Sequence, residues 1–212
     1  MTRPRVGPMV WVFGGLFLLV TALVAGHVTH RLDTAVYDQL TPVGSWNETH
    51  QLVSDIPDWT APQFQLVAFA VFVAVLARRR HSRTPLVVGG LLVVVTSILV
   101  VVVKRVVARP DTGGHLTDAG SYPSGHMALT VAMVGGVLIL LVVRPRWWQW
   151  ALVALVSIGM AGCLLYGAIH WTSDVVGGSL LGATVLALAC GVPGRAGVTS
   201  TREEARSRAP AP

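Results

Sequence analysis

The stretch SYPSGHMALT, residues 121–130, stands at the head of an apolar run, 127–143. A Pro-Ser-Gly turn precedes the run, and His126 falls on its first turn. Free N–H groups at a helix start attract anions. A titratable ring beside such a turn has two explanations, a capped helix start or a chemical site. The rest of the chain has to decide between them.

The surroundings are those of a membrane protein. Of the 212 residues, 53% are hydrophobic and 12% charged, and the mean hydropathy is +0.63. A soluble domain carries about 25% charged residues. Six apolar runs follow one another, at 9–26, 59–77, 85–103, 127–143, 147–169 and 175–192. Each is near the ~17–25 residues that cross a bilayer. The second is the weakest, because Pro62 and Gln63 interrupt its start. The first follows Arg3 and Arg5 as a signal peptide would. It is long for such a segment, and it is read as an uncleaved span. Cys163 and Cys190 both lie inside apolar runs and are read as small packing residues, not as a disulfide framework.

The formal charge of +6 sorts by loop. Arg3 and Arg5, then Arg78, Arg79, Arg80 and Arg83, then Arg144 and Arg146, then Arg195, Arg202, Arg206 and Arg208 all fall on one side of the runs. Only Arg31, Lys104, Arg105 and Arg109 fall on the other. The positive-inside rule makes the first side cytoplasmic and places both termini there. Charges scattered over membrane-hugging turns are a topology signal, and nucleic acid is excluded as a partner. Residues 193–212, rich in Gly, Arg, Ser, Thr, Ala and Pro, read as a disordered cytoplasmic tail behind a membrane domain at 1–192. Residues 27–58 lie outside, and RLDTAVYDQL at 31–40 suits a short surface helix. Gly178 and Gly182 allow close helix packing. Trp147, Trp148 and Trp150 suit an interfacial belt.

Three polar clusters share the outer side: VKRVVARPD at 103–111, YPSGH at 122–126, and YGAIHWTSD at 166–174. Ionisable groups at membrane depth are functional candidates. On a helix, His170 and Asp174 share a face, so the carboxylate can hold one ring nitrogen and leave the other as a nucleophile. The Ser124–Gly125 turn can seat an anion, with His126 beside it as proton donor. Lys104 and Arg109 can bind phosphate oxygens. Each cluster alone also reads as structure: a His–Asp helix cap, a Ser-capped helix start, or cationic anchors at a helix end. Together they suit transfer of a phosphoryl group from an ester, with no metal or other cofactor required. His115, Asp111 and Asp118 share a Gly-rich outer loop, but their spacing is unspecific for a metal.

These residues resemble the type 2 phosphatidic acid phosphatase family, the lipid phosphate phosphatases, whose core is shared by soluble vanadium haloperoxidases. Pro123–His126 matches the family's Pro-Ser-Gly-His motif in full, and His170 to Asp174 matches its His-x-x-x-Asp, followed by VVGG. The resemblance covers roughly residues 60–190. It implies an all-α, integral membrane six-helix bundle with both termini cytoplasmic. It implies His170 as the nucleophile of a phosphohistidine, Asp174 as its support and His126 as proton donor. Lys104, Ser124 and Gly125 would hold the phosphate, and Arg109 joins them on the reading of its charge. The substrate would be phosphatidic acid, phosphatidylglycerol phosphate or a polyprenyl diphosphate, met at the extracytoplasmic side of the cell membrane, and a homo-oligomer is allowed for.

Two positions depart from the family. Its first motif runs Lys, six residues, Arg-Pro, whereas only four residues separate Lys104 from Arg109 here. Five helical steps turn Arg109 about 140° from the Lys104 face. Arg109 can reach the site only if the helix has ended, which Pro110 favours. The usual arginine position falls on Asp111. The third motif opens with Ser-Arg, and those positions are Cys163 and Leu164. The missing arginine motivates an alternative, a non-catalytic relative that binds or moves phospholipid. Trp171, beside His170, is placed to border the lipid portion of a substrate.

Overall fold

The structure, a computed structural model, describes residues 6–41, 47–115 and 120–192. The tail expected at 193–212 and Asp118 lie outside the described residues. Within them the chain is all-α, with eight helices: α1 (Val6–Ala25), α2 (His30–Leu40), α3 (Glu48–Trp59), α4 (Pro62–Arg80), α5 (Thr84–Val107), α6 (Gly125–Leu141), α7 (Trp147–Tyr166) and α8 (Thr172–Cys190). Five of them, α1, α4, α5, α7 and α8, are long and apolar enough to cross a membrane, and α6 is apolar but shorter at 17 residues. The chain is a multi-pass membrane protein.

The helix ends follow local chemistry. Pro62 starts α4 instead of interrupting it, because the first helical position has no N–H to lose. Trp59, expected in that span, closes α3 instead. Asn47 caps α3 by accepting from the His50 N–H at 2.9 Å. The carbonyl of Leu140 near the end of α6 accepts from Arg80 Nη1 at 2.7 Å, so the cationic end of α4 caps its neighbour. α5 runs on to Val107 and stops at Ala108, which sits in the left-handed region at φ 47°. Arg109 is therefore off the helix, as its use in a site requires. α2 spans the amphipathic surface stretch, and α3 was not legible beforehand.

α6 and α8 are the central pair. In α8, 61% of the span is buried, against 6–28% in the other candidate spans. One apolar cluster joins α4, α5, α6 and α8 through Phe69, Leu92, Met133 and Val185. A second joins α1, α5 and α8 around Phe17, Val100 and Leu181. Close approach of α6 to α8 depends on Gly178 and Gly182. A Cβ on Gly178 would strike the carbonyl oxygen of Ser124, and one on Gly182 would lie 2.5 Å from that of Ala128. Gly178→Leu is expected to destabilise the bundle by about 1–3 kcal/mol or more through overpacking. A lowered melting temperature in detergent, with a leucine at exposed Val176 as control, checks this.

Candidate active site

The N-termini of α6 and α8 and the C-terminus of α5 meet at one end of the bundle, opposite the Arg-rich C-terminus of α4 and the end of α6 that it caps. The two histidine motifs are tied through the backbone, since the Ser124 N–H donates to the carbonyl of Asp174 at 3.0 Å. Ser124 is fully buried and its Oγ accepts from the Met127 N–H at 3.4 Å, a loose N-cap. The peptide before it, Tyr122–Pro123, is cis. Tyr122 is buried, stacks on Phe17 with ring centroids 6.5 Å apart, and lies 2.9 Å from the Thr21 hydroxyl. Burial pushes its phenol up to about 12, so it remains a neutral hydrogen-bonding group.

His170 and His126 face one another edge to face, with ring centroids 6.0 Å apart. His170 Nδ1 lies 3.4 Å from Asp174 Oδ2, which points Nε2 away from the carboxylate. His126 Nε2 is buried without a hydrogen-bond partner among the described residues. An orphaned buried nitrogen is unfavourable, and such atoms ask for a chemical explanation.

The cations are engaged with the protein. Lys104 Nζ donates to the carbonyls of Gly120 at 2.7 Å and Ser121 at 3.1 Å, holding the approach to the Pro-Ser-Gly turn. Arg109 Nη1 donates to Asp174 Oδ1 at 2.7 Å and to Ser173 Oγ at 2.6 Å. Its Nη2 donates to Asp33 Oδ2 at 2.7 Å. Asp33 also accepts from the Ser173 N–H at 2.8 Å and its hydroxyl at 2.7 Å. Burial alone would raise the Asp33 carboxyl. The bonds from Ser173 and Arg109, with the Arg109 charge, outweigh that and hold it below its ordinary 3.8. Asp33, Ser173 and Thr29, whose Oγ1 lies 3.4 Å from Ser173 Oγ, were missed in the sequence. A signal existed for Asp33: it sits three, four and seven residues before Val36, Tyr37 and Leu40, an acid on the apolar stripe of α2.

Trp171 lies in a cluster, with Arg109 5.3 Å from its ring centroid, a tilted Tyr37 at 5.5 Å and an edge-on His30 at 6.4 Å. Its indole N–H donates to the Pro110 carbonyl at 3.1 Å. Leu164 is fully buried in an apolar cluster with Met127 and Val175. An arginine there would need charge buried among hydrocarbon. Asp111 turns to its own loop, accepting from the His115 N–H at 2.8 Å. Among the described residues no three His, Cys, Asp or Glu side chains are grouped to hold a metal. Cys163 and Cys190 are free thiols.

The end-on arrangement of these helices is that of the PAP2-type transmembrane phosphatases. The solved structure of a transmembrane PAP2-type phosphatidylglycerolphosphate phosphatase from Bacillus subtilis superposes with a TM-score of 0.73 over 86% of this chain and 94% of that one, at 17% identity. The chain thus has the PAP2-type fold. An undecaprenyl-diphosphatase of Sulfolobus acidocaldarius is 38% identical over 65 residues, 31% of this chain and 30% of that protein. The similarity is distant and spans less than a third of that relative's length. No family model matches the chain.

Proposed function

We propose that the protein is a membrane lipid phosphate phosphatase working through a phosphohistidine on His170. One observation carries this reading. His170, backed by Asp174, faces His126 across 6.0 Å at the mouth of an α6 N-terminus. A phosphate seated on the Ser124–Gly125 turn, with Lys104 near, presents its phosphorus to His170 Nε2. Attack forms the P–N bond and breaks the P–O bond to the lipid, whose leaving oxygen takes a proton from His126. Water then attacks the phosphohistidine with His126 as base, releasing phosphate and restoring the ring. The positive ring is stabilised by Asp174 throughout.

The relatives' names point to phosphatidylglycerolphosphate or undecaprenyl diphosphate as the substrate class. The distribution of arginines supports six spans, counting α6, with both termini in the cytoplasm and the site at the outer leaflet. No step in this scheme draws on a metal.

The test is phosphate release by protein purified in detergent. Phosphatidic acid, phosphatidylglycerol phosphate and a polyprenyl diphosphate are each offered, with and without chelator. Turnover that survives chelation and leaves an acid-labile, alkali-stable phosphoprotein is the expected result. Loss of turnover in chelator overturns the metal-free scheme. Buried Leu164 favours one other outcome, lipid binding without phosphate release, which would mark a non-catalytic relative.

A further inference from the structure

α2 belongs to the outer segment and carries none of the motif residues, yet Asp33 is wholly buried against α8 and against Arg109. Its two oxygens take the Ser173 N–H, the Ser173 hydroxyl and Arg109 Nη2, all at 2.7–2.8 Å. Arg109 is shared between two carboxylates, with Nη2 on Asp33 and Nη1 on Asp174. An arginine facing a single carboxylate tends to take both of its oxygens in a fork. Here the fork is split. Asp174 keeps Oδ1 for Arg109 and leaves Oδ2 for His170 Nδ1 and the Trp171 N–H, each at 3.4 Å. One guanidinium between two carboxylates has its charge balanced twice over, so it has little attraction left for a phosphate.

We infer that Asp33 is a positioning residue for the reaction. By holding Nη2 of Arg109 it stops the guanidinium from closing on both oxygens of Asp174, and so keeps Oδ2 open to His170 beside the Trp171 N–H. Arg109 on this view orients the His–Asp pair, and the phosphate is left to Lys104 and the Ser124–Gly125 turn. The inference rests on the catalytic reading of His170 and Asp174, and it deepens that reading.

The experiment uses the full chain in detergent with Asp33→Asn, which keeps size and an acceptor for the Ser173 N–H but loses the charge. Two readouts run together. One is kcat and KM on whichever of the three lipid phosphates the wild type hydrolyses. The other is the His170 ring-NH resonance in protein labelled with ¹⁵N-histidine, assigned by its absence in His170→Ala. The expected result is a kcat lowered about tenfold or more with KM within about twofold, and a shifted His170 resonance, since a group acting through the transition state moves kcat alone. Unchanged kcat and an unmoved resonance overturn the inference. So does a loss in which KM rises in step while the resonance stays. If the wild type releases no phosphate, the functional reading fails and the resonance alone decides: movement supports the positioning role and none overturns it. Should Asp33→Asn fail to fold, Arg109→Lys keeps the charge but cannot fork, and the same pair of readouts applies to it.

Discussion

His170→Ala is expected to abolish phosphate release, by ~10⁴-fold or more, and to leave no labelled phosphoprotein. Among the described residues no other ring beside the proposed seat has an Asp-backed nitrogen, so nothing there replaces it as nucleophile. Substrate binding should survive, because the proposed seat, Lys104 and the α6 N-terminus, is built without the imidazole. The measurement is phosphate release alongside retention of a radiolabelled lipid phosphate by the same preparation. Turnover near the wild-type rate would remove the phosphohistidine from the scheme.

The second large effect concerns the proton. His126→Ala is expected to lose ~10²–10⁴-fold on a lipid phosphate, the usual weight of a positioned acid. The loss in the rate of phosphohistidine formation should shrink on p-nitrophenyl phosphate, whose leaving oxygen departs without protonation. Formation of the phosphohistidine is then nearly independent of His126, while its hydrolysis still wants a base. Labelled protein should therefore accumulate in this variant with the activated ester, and rapid-quench labelling measures it. Equal losses of the labelling rate on both esters would assign His126 to binding or packing. His126 Nε2, buried and without a hydrogen-bond partner among the described residues, is the atom at stake.

Much of this architecture was legible in the sequence because membranes impose strong patterns. Apolar runs gave the long helices to within a few residues, since backbone groups in lipid can be satisfied only within the helix. The two histidines and Asp174 were legible because motif residues at helix starts keep their spacing in any register. Pro62 was misread, as periodicity does not distinguish a proline that breaks a helix from one that begins it. α3 was missed because its 12 residues mix His, Asp and Pro with few apolar groups. Asp33 was missed for a deeper reason. It is 140 residues from Ser173 and 76 from Arg109, and no local pattern reports a pairing at that distance. The same holds for Arg109. Its charge suggested a phosphate ligand, while the neighbours that claim its charge are visible only in three dimensions.

The reach of α1 and α2 into the site also bears on what could be cut away. A fragment starting at residue 60 would keep every motif residue, from Lys104 to Asp174. It would still lack the Thr21 hydroxyl beside Tyr122 and the Asp33 carboxylate on Arg109. The smallest autonomous unit of this fold is then larger than its motifs outline. Thr21 of α1 and Asp33 of α2 brace this end of the bundle, and grafting the motifs onto another bundle would need both braces carried along.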